Sequence, residues 1–254
     1  MRRIFLMVAA VAAVAFMAPV AAAQTVDEVI AKNIEARGGM EKIRALKTIR
    51  TLGKLNAGSF RAAFQQENSR PDSVRKEVTI QGLTQIRAYD GKTGWQVSPF
   101  GGRKDPQLLS ADDMKDLVVD ADVDGPLVDY KQKGHTAELL GHDSVEGTDC
   151  FKVKLTLKNG DVRIYYLDAD SFMQIKLKTQ TMVRGTLEER ETLYGDYDQV
   201  NGVYFPFAWE SGEKGDSNRV KIVVEKIEAN TPIDDKLYTM PATKAAANPA
   251  GGAQ

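Results

Sequence analysis

Phe151-Lys152-Val153-Lys154-Leu155-Thr156-Leu157-Lys158-Asn159-Gly160 is the stretch that decides the fold. Its apolar residues fall at every second position, with lysine and threonine between them. That period places one face of an extended strand in a core and the other in water. Asn159-Gly160 is the strongest hairpin signal in the chain, because both residues tolerate the positive φ that a two-residue turn requires. Val162 to Leu167 returns as the partner strand.

Outward from this hairpin the same period repeats. Downstream lie Met173 to Thr179, Thr186 to Tyr194, Val203 to Trp209 and Val220 to Ile227, with turns at Asn201-Gly202 and Gly212 to Asp216. Upstream, Lys47 to Leu55, Phe60 to Gln66, Val74 to Ile80, Thr84 to Tyr89, Trp95 to Val97 and Ala137 to Leu140 read as strands. Helical spacing occurs in two places. Thr25 and Glu28 form a capping box before Val26, Val29, Ile30 and Ile34, and Gly38-Gly39 stops that helix. Met40 to Leu46 adds a short turn. Ser110 opens a second helix with Met114, Leu117, Val118 and Ala121 on one face, ended by Gly125-Pro126. Strand and helix do not alternate as in a doubly wound fold. The expectation is an α+β, mainly β chain: one antiparallel sheet of roughly ten strands that curls, with helices on its concave side.

The N-terminus reads as an export signal. Arg2 and Arg3 precede the apolar run Ile4 to Met17, then Pro19 and Ala21-Ala22-Ala23 before Gln24. The run is too short for the roughly 20 residues that span a bilayer. Arg2-Arg3 also fits a twin-arginine signal, although the greasy run favours the general route. The expected division is 1-23 signal peptide, 24-241 folded domain and 242-254 flexible tail. Lys+Arg 34 against Asp+Glu 35 gives a formal net charge of -1. Bulk charge therefore draws the chain toward neither nucleic acid nor anionic membrane. One cysteine and two histidines leave no material for a disulfide or a cysteine- or histidine-rich metal centre.

Local motifs carry little chemistry. Gly91-Lys92-Thr93 resembles the end of a phosphate loop, but Ile86 stands where the first glycine belongs, so it reads as a hairpin turn. Asp120-Ala121-Asp122-Val123-Asp124-Gly125 opens like a calcium loop, yet its twelfth position is Lys131 instead of glutamate. His142 and Ser144 lack a nucleophile elbow. Cys150 lies beside Lys152 and Lys154 on the polar face and reads as a shielded thiol more than a reactive one. Glu188-Glu189 and Asp234-Asp235 are adjacent, so on a strand they point to opposite faces and form no acid–base pair. The aromatic stripe is the richest signal. Val203, Phe205, Phe207 and Trp209 share one strand face, and a curled sheet must fill its hollow with side chains or a guest.

Several segments resemble one family of exported bacterial proteins. They are Ala31 to Gly39 with Lys42 to Lys47, Tyr89 to Trp95, Gly125 to Tyr130, Gly147 to Tyr166 with Leu167-Asp168-Ala169, and Asp196-Tyr197 through Gly202 to Pro206. Together they are similar to the LolA/LolB/LppX-like periplasmic outer-membrane lipoprotein-sorting proteins. The resemblance implies an open, incomplete β-barrel with helices plugging its mouth and an apolar cavity between. It implies a periplasmic, monomeric, non-enzymatic carrier of lipid or acylated lipoprotein. Inner- and outer-membrane envelope proteins would load and unload it, with no cofactor, metal or nucleic acid involved. The cavity and lid residues expected on that basis are Trp95, Met114, Leu117, Val118, Leu127, Phe205, Phe207 and Trp209. Two alternatives stand beside it. One is an envelope-assembly or scaffold protein with a self-filled core. The other is an envelope lipid-modifying enzyme using His135, His142 and Asp129.

Overall fold

The structure is a computed structural model and describes residues 24–102, 104–216 and 218–242. The expected export signal, and the tail from residue 243 on, lie outside the described residues.

The chain opens with α1 (Val26–Ala36) and α2 (Met40–Ala45). Thr25 and Glu28 form the capping box expected from their spacing: the Thr25 backbone N–H donates to the Glu28 carboxylate at 2.8 Å, and the Glu28 N–H donates to the Thr25 hydroxyl at 3.3 Å. Six strands follow: β1 (Thr48–Ala57), β2 (Phe60–Ser69), β3 (Ser73–Ile80), β4 (Leu83–Tyr89), β5 (Gly94–Val97) and the two-residue β6 (Gln107–Leu108). A connecting segment then carries α3 (Lys115–Asp120). Seven more strands complete the chain: β7 (Thr136–Val145), β8 (Thr148–Thr156), β9 (Val162–Asp168), β10 (Gln174–Val183), β11 (Thr186–Val200), β12 (Val203–Glu213) and β13 (Val220–Ala229).

All thirteen strands form one antiparallel sheet in the order β6-β5-β4-β3-β2-β1-β13-β12-β11-β10-β9-β8-β7. Two meanders are joined where β1 pairs with β13, Ile49 lying opposite Ala229. The sheet is open, with β6 and β7 at its edges. Thirteen strands replace the roughly ten expected, partly because β6 is too short to show any period. The second helix is shorter than its apolar spacing suggested. The Ser110 hydroxyl accepts from the Asp113 N–H at 3.1 Å in a turn, so helical geometry starts only at Lys115.

Alternation assigns the two faces. Phe151, Val153, Leu155 and Leu157 are buried with Val29, Ile30 and Ile34 of α1, Ile43 of α2 and Val123, Leu127 and Val128 of the connecting segment. We call this the inner face, the one that carries α1, α2 and the connecting segment. Each such side chain contributes about 1.5–3 kcal/mol by leaving water. An eleven-residue helix is marginal alone, so docking is what holds α1 in place. On the outer face, Lys152 and Lys154 pair with Asp143 and Glu138 at 3.1 and 3.0 Å. Cys150 also points outward but is fully buried with Val145 and Tyr166, and burial pushes its thiol pKa up, which makes it inert.

The sheet curls, and one residue demonstrates it. Arg87 on β4 donates to the Asp113 backbone carbonyl, and Arg184, in the β10–β11 turn, donates to both Asp113 carboxylate oxygens at 2.7 and 2.8 Å. Those two arginines are six or seven strand positions apart in the sheet order. Flat, that spacing would be about 29–34 Å at about 4.8 Å per strand. Both reach the same residue only if the sheet bends toward the connecting segment.

The C-terminal end of α1 is pinned to the β11–β12 turn. The Tyr204 N–H donates to the Arg37 carbonyl at 2.8 Å. Gly38, at φ +124°, lies so close that a Cβ there would stand 2.2 Å from the Gly202 carbonyl oxygen. Gly38→Ala therefore meets both a backbone clash and a disfavoured φ. It is expected to cost about 3 kcal/mol or more, read as a lower urea midpoint. An unchanged midpoint would refute this docking.

Candidate functional site

The connecting segment between the two sheet edges is acidic on one side and apolar on the other. Leu117 and Ala121 are fully buried against Val74 of β3, with Tyr89, Leu109 and Met114 around them. Each of its carboxylates meets a cation. Asp112 pairs with Lys115 at 2.9 Å and accepts from the Arg184 backbone N–H at 3.0 Å. Asp113 is held by Arg184, and Asp116 takes two bonds from Arg87 at 2.6 and 3.0 Å. Lys76 holds Asp120, Lys133 holds Asp122 at 2.5 Å, and Arg70 holds Asp124 through two bonds. The far end is latched too: Arg44 pairs with Asp129 at 2.7 Å, and the Tyr130 hydroxyl donates to Asp27 of α1 at 2.6 Å. The calcium-loop pattern thus resolves into carboxylates occupied by Lys76, Lys133 and Arg70.

Beneath this segment lies a cavity of about 170 Å³, lined by α1, the Gly125-Pro126-Leu127 turn, β9–β12 and the loop at Met173. Its apolar wall includes Leu127, Phe205 and Pro206, and its polar wall includes Asn33, Arg37, Tyr165, Tyr194 and Tyr197. Asn33 donates to the Phe172 carbonyl at 2.7 Å, and the Tyr197 hydroxyl donates to the Gln174 carbonyl at 2.7 Å. Arg37 donates to the Asp124 carbonyl at 3.1 Å. Burial pulls the Arg37 pKa below its ordinary value despite the nearby Tyr197, Tyr165, Asp124 and Asp122. Burial likewise pushes the Tyr165, Tyr194 and Tyr197 phenols up, so all three are neutral donors at neutral pH. A second cavity of about 220 Å³ lies along β1–β3, lined mainly by Leu52, Ala63, Gln65, Glu77 and Thr79 of the opposite face of the sheet.

The residues expected at the site divide among several places. Leu127 and Phe205 line the first cavity. Phe207 and Trp209 continue the Val203–Phe205 stripe and line neither cavity, packing against Phe64, Ile222 and Val224, with Trp209 edge-on to Phe64 at 5.9 Å. Met114 and Leu117 hold the connecting segment to β3 and β4. Val118 is 43% exposed, on the solvent side of that segment. Trp95 pairs with Ala88, which pairs with Arg75, whereas Val74 faces Leu117. By alternation Trp95 lies on the outer face. There its indole N–H donates to the Tyr238 carbonyl at 2.6 Å, beneath the C-terminal segment. Arg37 and the tyrosines were not singled out from the sequence. Arg37, Tyr165 and Tyr197 fell inside segments noted for their resemblance, and Tyr194 outside them.

The candidate catalytic groups serve structural contacts. The His135 ring accepts from the Lys158 backbone N–H at 3.1 Å, His142 lies 2.9 Å from Asp149, and Asp129 is paired with Arg44. No hydrogen bond joins any two of the three among the described residues. Asp90 accepts from the Lys92 and Thr93 N–H groups at 3.0 and 2.7 Å, so Gly91-Lys92-Thr93 is a turn, as its flanks implied.

A curled open sheet carrying a strapped connecting segment defines a class of protein. A family model described as "-like: Uncharacterized protein" matches residues 105–243, more than half of the chain, and the chain belongs to that family. Its fold is LolA-like. A LolA superfamily protein from Nitrosomonas europaea superposes with TM-score 0.57 at 15% identity, covering 85% of this chain and 98% of that one. A DUF1329 family protein from Desulfovibrio piger gives TM-score 0.58 at 12% identity, with the same coverage of 85% and 98%. A domain described as an outer membrane lipoprotein-sorting protein domain, from Vibrio parahaemolyticus, gives 0.57 at 9%, covering 84% and 95%. No curated protein matches the chain in sequence. Among the described residues no helix is long and apolar enough to cross a membrane.

The strap is expected to weaken in acid. Lys115 and Ser110 respectively hold Asp112 and Asp113 below the usual carboxylate range, with Arg184 adding to both. Burial raises Asp116 and Asp124, but Arg87 and Arg70 outweigh it and bring both down. Carboxylates with folded pKa values below their unfolded ones stabilise fully above the ordinary range and lose that contribution as pH falls through the depressed values. Residues 110–124 are therefore expected to stay resistant to proteolysis at about pH 5 and to become open to pepsin at about pH 3. Equal resistance at both would contradict the strap.

Proposed function

We propose that the protein is a non-enzymatic carrier in the cell envelope that shelters the acyl chains of a lipid or acylated lipoprotein. The chains would lie on the inner face of the sheet, beneath the connecting segment, with the helices on the concave side. The observation that carries this reading is the form of that segment. Its first part, Asp112 to Ala121, is apolar toward β3 and β4 and is tied across to the β10–β11 turn by ion pairs, whereas Val123 to Tyr130 belongs to the main core. Exposed and partly exposed ion pairs are individually weak and easily exchanged. Such a strap closes the interior while leaving it able to open. The similarity of fold to a LolA superfamily protein and to a lipoprotein-sorting domain supports the same reading.

The chemistry needs little polar recognition. Burial of an acyl chain yields about 0.8 kcal/mol per CH₂. The two cavities, about 170 and 220 Å³, each fall below the roughly 300 Å³ at which ligand pockets usually begin. Loading a long chain therefore requires the connecting segment to move off Val74 and Tyr89. The Val203–Phe205–Phe207–Trp209 stripe, on the helix-bearing face of the sheet, would supply an apolar floor for the chain.

One observation favours the alternative of an assembly module with a self-filled interior: Val29, Ile43, Leu117, Val128 and Val153 are all fully buried in the closed form. Lipid extraction decides between them. Protein purified from membranes in mild detergent and examined by native mass spectrometry is expected to carry lipid at a defined stoichiometry. Protein that stays lipid-free, and takes up none from anionic or zwitterionic vesicles, would leave the self-filled module.

A further inference from the structure

We propose that Arg37 and Tyr165 form a headgroup site for a carboxylate, so that the carrier takes a free fatty acid with its acid group at the α1 end of the cavity. The proposal rests on the carrier reading for the tail, while the headgroup contact stands on its own geometry.

The first observation is a charge without a counter-ion. Arg37 lines the first cavity, and its side chain makes one hydrogen bond, to the Asp124 backbone carbonyl at 3.1 Å; among the described residues it is in no ion pair. The two nearby carboxylates are already taken, Asp124 by Arg70 and Asp122 by Lys133. A guanidinium offers five N–H donors, so most of its capacity remains. The second observation is independent. Tyr165, only 4% exposed, lines the same cavity, and its hydroxyl makes no hydrogen bond of ordinary geometry, with the Arg163 guanidinium its nearest charged neighbour. A buried hydroxyl left unmatched costs about as much as a lost hydrogen bond, so its placement here calls for an acceptor.

The ligand class follows from the surroundings. A guanidinium fork with one added hydroxyl matches a planar carboxylate, which accepts bidentately. Arg37 is the one cation that lines the cavity and balances a monoanion, while Arg163 stands near Tyr165 on the same strand face outside the lining. A phosphate dianion would meet that one lining cation with Asp122 and Asp124 behind it, and is disfavoured. Leu127, Phe205 and Pro206 receive the first methylenes, and the inner-face stripe continues from Phe205 toward Trp209. An ester- or amide-linked acyl chain has no free acid and would not use the pair.

The test is calorimetric titration of the lipid-stripped full chain with decanoate and with decanol, which share a tail and differ in the head. Decanoate is expected to bind about tenfold or more tighter, the scale of a charge-assisted hydrogen bond. That preference should vanish in Arg37→Gln, persist in Arg37→Lys in weaker form, and shrink in Tyr165→Phe. Tyr165→Phe removes a hydroxyl that makes no hydrogen bond of ordinary geometry, so its melting temperature should be unchanged or higher, which separates recognition from folding. Equal binding of decanoate and decanol overturns the headgroup site and leaves the carrier intact. Binding of neither overturns the carrier reading and the proposal with it. A Tyr165→Phe chain that prefers decanoate as strongly as the parent also overturns the site as drawn.

Discussion

Asp113 is gripped from both ends of a sheet that never closes. Arg87 reaches it from β4 and Arg184 from the β10–β11 turn. An open thirteen-stranded sheet has no hydrogen bonding across its gap, so something else must keep its two halves facing one another. Here that role falls to the chain linking β6 to β7, the two free edges. The same residues that connect the edges in sequence bridge the halves in space. Leu117 and Ala121 anchor the bridge to β3, Arg70 and Lys133 fasten its descent, and Asp129 and Tyr130 tie its end to the two helices.

Once the bridge is in place the interior follows. α1 and α2 dock on the inner face of β8–β10 and β12 through Val29, Ile30, Ile34 and Ile43, and the close approach of Gly38 to Gly202 fixes where α1 ends. That end carries Arg37 to the rim of a cavity whose other wall is tyrosine and proline. Apolar burial sets the position of each helix, and the polar groups left over mark where a ligand would be oriented. The outer face is spent differently. Cys150 and Tyr166 fill a small cluster there, and Trp95 is sealed beneath the C-terminal segment by its bond to Tyr238.

Much of this fold could be read from local pattern, and the unread parts share a cause. The Phe151–Leu157 alternation and the Thr25–Glu28 cap depend on neighbours in sequence and form as their patterns implied. Asn159-Gly160 does turn the chain between β8 and β9, but in a loop longer than two residues with only Gly160 at positive φ. Strand alternation separates two faces but does not say which is inner, so Trp95 read as a cavity residue although it lies on the outside. The apolar spacing from Met114 to Ala121 indicated a helix, but not that Ser110 would hold the preceding residues in a turn. Within the acidic run from Asp112 to Asp124 only Asp120 to Gly125 suggested a site, the opening of a calcium loop. Its cations sit at Arg70, Lys76, Arg87, Lys115, Lys133 and Arg184, and only the curl of the sheet brings Arg87 and Arg184 to it. Arg37 carried no local signal at all: its distinction is the absence of a free carboxylate beside it, which is a property of the folded surroundings.

The central claim is that the bridge opens when the interior is filled. Its most direct test is the distance between the two halves, read by pulsed electron spin resonance with labels at Leu83→Cys and Met182→Cys. Both sites are exposed, and the native Cys150 is buried beyond the reach of label. The account predicts one narrow, short distance distribution for the lipid-free chain and a longer, broader one after loading. An unchanged distribution in protein shown to hold lipid would contradict it.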